Sequence, residues 1–145
     1  MRVLIVEDFV AFRRFVCSTL GTKPELQVVG EASDGREAVQ KAEELKPDLI
    51  LLDIGLPTLN GIDAARQIRK LSPRSKILFS SAYSDQCAVE AAFSVGGSGY
   101  LVKSDAAANL LPGIKAVAQG KQFVSGNLGE ASEAICSAYA TASQA

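Results

Sequence analysis

The chain of 145 residues contains no histidine. That absence removes the side chain on which much acid–base, nucleophilic and zinc chemistry depends. Cysteine is scarce as well: Cys17, Cys87 and Cys136 are widely spaced, odd in number and without a CxxC pair, so neither a metal knuckle nor a disulfide framework is written here. Free thiols fit a reducing compartment, and the expected location is cytoplasmic. Long apolar runs are missing too. The hydrophobic stretches are strand-length, too short to span a bilayer, so no membrane partner is expected. The opening MRVLIVED meets acids too early for a secretory leader. Charge of one sign is not in excess either, since 15 Lys+Arg against 16 Asp+Glu leave a formal net charge of -1. That balance argues against nucleic-acid binding by bulk charge, and none is expected of this chain.

What is present is a regular alternation. Hydrophobic residues make up 48% of the chain, the share of a soluble globular protein, and the length suits one domain with its own core. Val3 to Val6 is a strand-like run. Phe9, Phe12, Val16 and Leu20 then share a helical face that Gly21 closes. Gln27 to Ala32 reads as a strand, and Asp34-Gly35-Arg36-Glu37 resembles a capping box opening a helix that stops before Pro47. Asp48 to Asp53 is apolar between its two acids, as a central strand buried on both faces should be. Asn60 caps a third helix ended by Pro73, Lys76 to Ser80 is a strand, and Ser84 or Asp85 starts a helix ended by Gly96-Gly97. Tyr100 to Val102 is a last strand before a final helix. The expected fold is α/β: a doubly wound, five-stranded parallel sheet flanked by five helices.

In such folds chemistry sits past the carboxyl ends of the strands. The residues there are Glu7 and Asp8, then Asp53, then Ser80 and Ser81, then Lys103. Carboxylates crowded together repel and need a cation. An all-oxygen donor set points to Mg2+. A carboxylate beside such an ion can act as a nucleophile toward phosphorus, with Lys103 and Ser81 available to phosphoryl oxygens.

These residues resemble the receiver domains of two-component response regulators. The likeness runs from about residue 2 to residue 124 and rests on VLIVED, on the segment Asp53 to Gly61 (DIGLPTLNG), on Ser81-Ala82, and on GYLVK ending at Lys103. The ending is similar to the NarL/FixJ-type branch. The resemblance implies a flavodoxin-like fold with strand order 2-1-3-4-5. It implies that Asp53 accepts a phosphoryl group from a histidine kinase or phosphotransfer protein. Asp8 would bind Mg2+ directly, with Glu7 in support and the Gly55 carbonyl completing the ligands alongside Asp53. Ser81 would hydrogen-bond the phosphoryl group, Lys103 would pair with it, and Tyr100 would be the aromatic switch that turns inward. A homodimer is the other partner it allows.

Gly55 and Tyr83 stand two residues past the acceptor and the switch serine. Gly55 offers no side chain to orient a hydrolytic water and Tyr83 is bulky, so slow self-dephosphorylation is expected. Three departures from the pattern stand out. Ser104 follows the lysine where many receivers have proline, so a trans bond is expected. Pro112 requires the last helix to start late, near Asn109, or to kink. After Ser125 no helix-turn-helix follows. Residues 1–124 are read as the receiver and 125–145 as a tail or short extra helix, with Leu128, Ala131, Ile135, Ala138, Tyr139 and Ala142 at helical spacing. Three competing readings meet specific obstacles. A pseudo-receiver is opposed by the intact Asp8, Asp53, Ser81 and Lys103 set. A haloacid-dehalogenase-type hydrolase would need an acid where Gly55 stands. In a nucleotide-binding Rossmann domain the glycine run would bridge strand to helix, whereas Gly96-Gly97-Ser98-Gly99 precedes a strand.

Overall fold

Among the described residues each apolar run forms a strand and each amphipathic segment a helix. A computed structural model describes residues 1–83 and 85–125. In order these are β1 (Arg2–Val6), α1 (Val10–Leu20), β2 (Gln27–Ala32), α2 (Gly35–Leu45), β3 (Leu49–Asp53), α3 (Gly61–Leu71), β4 (Lys76–Ser81), α4 (Gln86–Ser94), β5 (Gly99–Val102), a 3-10 turn (Lys103–Asp105), α5 (Ala106–Ala118) and β6 (Phe123–Val124). The sheet order is β2-β1-β3-β4-β5-β6, and every pairing is parallel. The doubly wound order expected from the sequence is therefore present, with one strand more than expected. β6 pairs Phe123 with Gly99 and Val124 with Tyr100. Two residues carry no readable periodicity, which is why this edge strand escapes a sequence reading.

Side-chain alternation along the strands divides the core into two layers. Leu4, Val6, Ile50, Leu52, Ile77 and Phe79 face one side and pack on Ala38, Ala42, Ile62, Ala65, Ile68 and Ala92. Val3, Ile5, Leu49, Leu51, Leu78 and Leu101 face the other and pack on Val16, Leu20, Leu110, Ile114 and Val117. All five residues of β3 are buried, so the strand that ends in Asp53 is held from both faces. On α1 the expected inward face is Phe12, Val16 and Leu20. Phe9 departs from it, standing at the N-cap with its side chain exposed.

Caps fix where the helices begin. The Asp34 carboxylate accepts from Glu37 N, and Glu37 in turn accepts from Ser33 N, each at 2.8 Å. Asn60 accepts from Asp63 N at 3.0 Å. Asp85 caps α4 through Cys87 N and Ala88 N; Ser84 lies outside the described residues. α5 begins at Ala106, not late near Asn109, and runs through Pro112. The 3-10 turn after β5 starts the helical path early, which places the proline mid-helix at an exposed position. Among the described residues there is no cis peptide bond, so Lys103–Ser104 is trans as expected.

Cys17 is a free thiol, whereas Cys87 is disulfide-bonded, which corrects the reading of free thiols throughout. No helix among the described residues is long and apolar enough to cross a membrane. Apart from Ser125, the expected tail or helix over 125–145 lies outside the described residues. Ser125 itself is buried and bound to the sheet edge: its N–H donates to the Tyr100 carbonyl at 2.9 Å, and its Oγ accepts from Val102 N at 2.8 Å.

Gly61 is where the fold tolerates no side chain. A Cβ there would sit 2.2 Å from the Asp53 carbonyl oxygen, because the start of α3 presses on the end of β3. Gly61→Ala is expected to destabilise the protein by about 2–3 kcal/mol through overpacking, read as a lower urea midpoint. An unchanged midpoint would show that this junction yields more than its geometry suggests.

Candidate functional site

The carboxyl ends of β1, β3, β4 and β5 deliver one side chain each to a shared rim. Glu7 follows β1 and is 2% exposed, and Asp53 ends β3 and is 4% exposed. Ser81 ends β4, and Lys103 opens the turn after β5. Asp8 stands beside Glu7 and is exposed. Arg13, one turn into α1, fixes the β1–α1 connection by donating to the Glu7 carbonyl at 2.8 Å while pairing with Glu31 at 3.2 Å.

Lys103 Nζ ties the acids together, 2.7 Å from Glu7 Oε1 and 3.3 Å from Asp53 Oδ2. The approach to Glu7 is ionic in character, since Oε1 has no well-aligned hydrogen-bond donor. The other Glu7 oxygen accepts from Phe9 N at 3.1 Å, and Asp53 Oδ1 accepts from Gly55 N at 3.2 Å. Glu7, Asp8 and Asp53 each offer a carboxylate oxygen, all within 4.8 Å of one another. Three hard oxygen donors at that spacing, with a single ammonium among them, suit a divalent cation such as Mg2+ better than a soft metal. Gly55 leaves open space: a Cβ there would meet nothing within 4 Å.

Burial and crowding shift the acid at the centre. Burial, and then the charge of Glu7, push the Asp53 carboxyl up to about 7, against the opposing pull of Lys103 and of the Gly55 N–H. For Lys103, burial alone would favour the neutral amine. Pairing with Glu7 and the charge of Asp53 outweigh it, and its pKa is raised.

The two residues expected to act as a switch, Ser81 and Tyr100, both bond to the Tyr83 backbone. Tyr100 is fully buried, with its ring already inward, and its hydroxyl donates to the Tyr83 carbonyl at 2.6 Å. Ser81 Oγ accepts from Tyr83 N at 3.0 Å. The Tyr83 backbone thus joins the two, while its side chain is 58% exposed. Two features escaped sequence reading. The side chain of Phe12, read only as core, has its ring 5.2 Å from Lys103 Nζ. Thr58 takes a positive φ of 68° in the loop after Asp53, a conformation that costs a β-branched residue strain. Ser80, in register with Asp53, is fully buried with its Oγ unpartnered. A cleft of about 730 Å3 between Met1, Leu26 and α5 lies at the amino ends of the strands, away from this rim.

Comparison with known proteins identifies the family. Residues 3–115 match the response regulator receiver domain family. The chain is 46% identical over 102 residues to the chemotaxis protein CheY of Thermotoga maritima, covering 70% of this chain and 84% of that one. It is 36% identical over 124 residues to the transcriptional regulatory protein DegU of Brevibacillus brevis, covering 86% of this chain and 52% of DegU. The chain thus spans about half the length of that regulator. Among solved structures, a LuxR-family two-component response regulator from Aurantimonas sp. superposes with a TM-score of 0.80 at 29% identity, covering 99% of this chain and 98% of the other.

The raised Asp53 value has a consequence for stability. A buried acid with a raised pKa favours its neutral form in the fold. Its contribution is fully present below the unfolded value of about 3.8 and is lost as pH rises through about 7. In chelator-containing buffer, Asp53→Asn is expected to gain on the wild type across that window. By pH 8 the gain should reach about 2 kcal/mol. Parallel denaturation midpoints from pH 4 to 8 would contradict it.

Proposed function

The chain belongs to the response regulator receiver domain family of two-component signalling, and on that premise we propose that Asp53 is its phosphoacceptor and that Lys103, Ser81 and Tyr100 convert the modification into a conformational signal. The observation that carries this reading is the Lys103 ammonium bridging Glu7 and Asp53 at 2.7 and 3.3 Å. A nucleophilic carboxylate, its counter-charge and a metal-ligating acid meet within one contact shell.

Glu7, Asp8, Asp53 and the Gly55 carbonyl would hold Mg2+, which when bound supplies positive charge to offset the carboxylates and the phosphoryl oxygens. An ionised Asp53 oxygen attacks the phosphorus of a phosphohistidine, forming an acyl phosphate as the P–N bond breaks, and the departing imidazole takes up a proton. Lys103 stays within reach of Asp53 and can pair with a phosphoryl oxygen. Ser81 Oγ, now accepting from Tyr83 N, retains its own proton to donate to that group. Such a bond draws Ser81 toward Asp53 and alters the Tyr83 backbone to which Tyr100 is tied, biasing two states of this corner. The supplier is a histidine kinase or phosphotransfer protein, residues 1–124 form the switch, and a homodimer is the proposed response.

Intact mass after incubation with Mg2+ and acetyl phosphate tests the acceptor. One phosphoryl adduct is expected, dependent on Mg2+ and missing in Asp53→Asn; an adduct that persists in that variant would place the acceptor elsewhere. The hydrolysis step has its own test. Gly55→Asn, which has room for its side chain, is expected to shorten the phosphoryl half-life by orienting water. Tyr83→Ala is expected to shorten it by unshielding the group. If both half-lives match the wild type, these positions do not govern turnover.

A further inference from the structure

Lys103 has one neighbour that the phosphoryl-transfer set does not require. Its Nζ lies 5.2 Å from the centroid of the Phe12 ring, within the range at which a cation is drawn to an aromatic face. Phe12 stands in the first turn of α1, half-buried and packed against the core layer that contains Val16 and Leu110. Its ring is 5.9 Å from that of Phe15, tilted by 38°, an i,i+3 aromatic pair on one helix face. The ring facing Lys103 is therefore braced from two sides.

An ammonium carries three donors. Glu7 and Asp53 engage it at 2.7 and 3.3 Å, and its side chain is only 20% exposed. An aromatic face attracts the charge without accepting a proton and without demanding a direction, so it does not compete with the carboxylates. We propose that Phe12 is a positioning residue for Lys103: its ring holds the ammonium between Glu7 and Asp53, and so sets how fast Asp53 is phosphorylated. The inference rests on the reading of Asp53 as phosphoacceptor. Because the attraction has little directional demand, Lys103 can exchange a carboxylate for a phosphoryl oxygen while remaining over the ring.

Phe12→Leu keeps an apolar side chain but removes the quadrupole, and Phe12→Tyr keeps both ring and quadrupole. With acetyl phosphate and Mg2+, adduct formation on the full chain is expected to slow about three- to tenfold in Phe12→Leu and to recover in Phe12→Tyr. In a Lys103→Met background, Phe12→Leu should slow the residual rate no further. An equal slowing in that background, or a Phe12→Leu rate matching the wild type, would overturn the proposal in favour of simple packing. A second readout needs no phosphorylation. In the wild-type protein the Lys103 Cε protons should show an upfield ring-current shift in proton NMR, lost in Phe12→Leu and kept in Phe12→Tyr. Absence of that shift in the wild type refutes the contact even if adduct forms normally. A shift without any adduct in the wild type, from acetyl phosphate and from a phosphohistidine donor alike, would instead refute the phosphoacceptor reading, and the role assigned to Phe12 with it.

Discussion

The rim of this molecule depends on one electrostatic arrangement. Two buried carboxylates, Glu7 and Asp53, are both within reach of a single ammonium, that of Lys103. Carboxylates this close and this buried cannot both ionise without a nearby cation. The fold brings that cation from a different strand, so the charge balance of the site is also a tie between β1, β3 and β5. Neighbouring details serve the same balance. The Gly55 and Phe9 amides take up the remaining carboxylate oxygens, and Arg13 holds the Glu7 carbonyl from α1.

The parallel sheet explains why the site can be so crowded. β3 is buried along its whole length, and its apolar residues anchor Asp53 from below. Gly61 brings α3 into contact with the Asp53 carbonyl, so the backbone of Asp53 is fixed by packing. The side chains of Ser81 and Lys103 come from strands on the β4–β5 side. The arrangement sets a half built on the buried strands β1 and β3 beside a half whose hydrogen bonds pass through the Tyr83 loop backbone.

Much of this was legible in the sequence because strand ends are easy to locate. Apolar runs that terminate in an acid, a serine or a lysine put Glu7, Asp53, Ser81 and Lys103 at the same edge once a parallel sheet is assumed. The caps at Asp34 and Asn60 were legible for the same local reason. What escaped was whatever depends on tertiary contact. β6 has two residues and no pattern, yet it completes the sheet edge. Phe12 satisfied the helical periodicity of α1 and so looked like core alone, although one face of its ring meets a charge. Pro112 argued by local rules for a late helix start or a kink, and the late start is not what occurs: the 3-10 turn and the packing of Leu110 and Ile114 carry α5 through it.

The bonding of Ser125 has a mechanical consequence. Two of its hydrogen bonds go to β5, one to Tyr100 and one to Val102, and Lys103 is the next residue. The strand that carries the aromatic ring and leads to the ammonium is therefore also the mooring of the chain's exit. Any sliding or tilting of that strand pulls on the exit point directly, with no intervening loop to absorb the slack. The coupling works in both directions: tension applied at Ser125 would bear on the same strand.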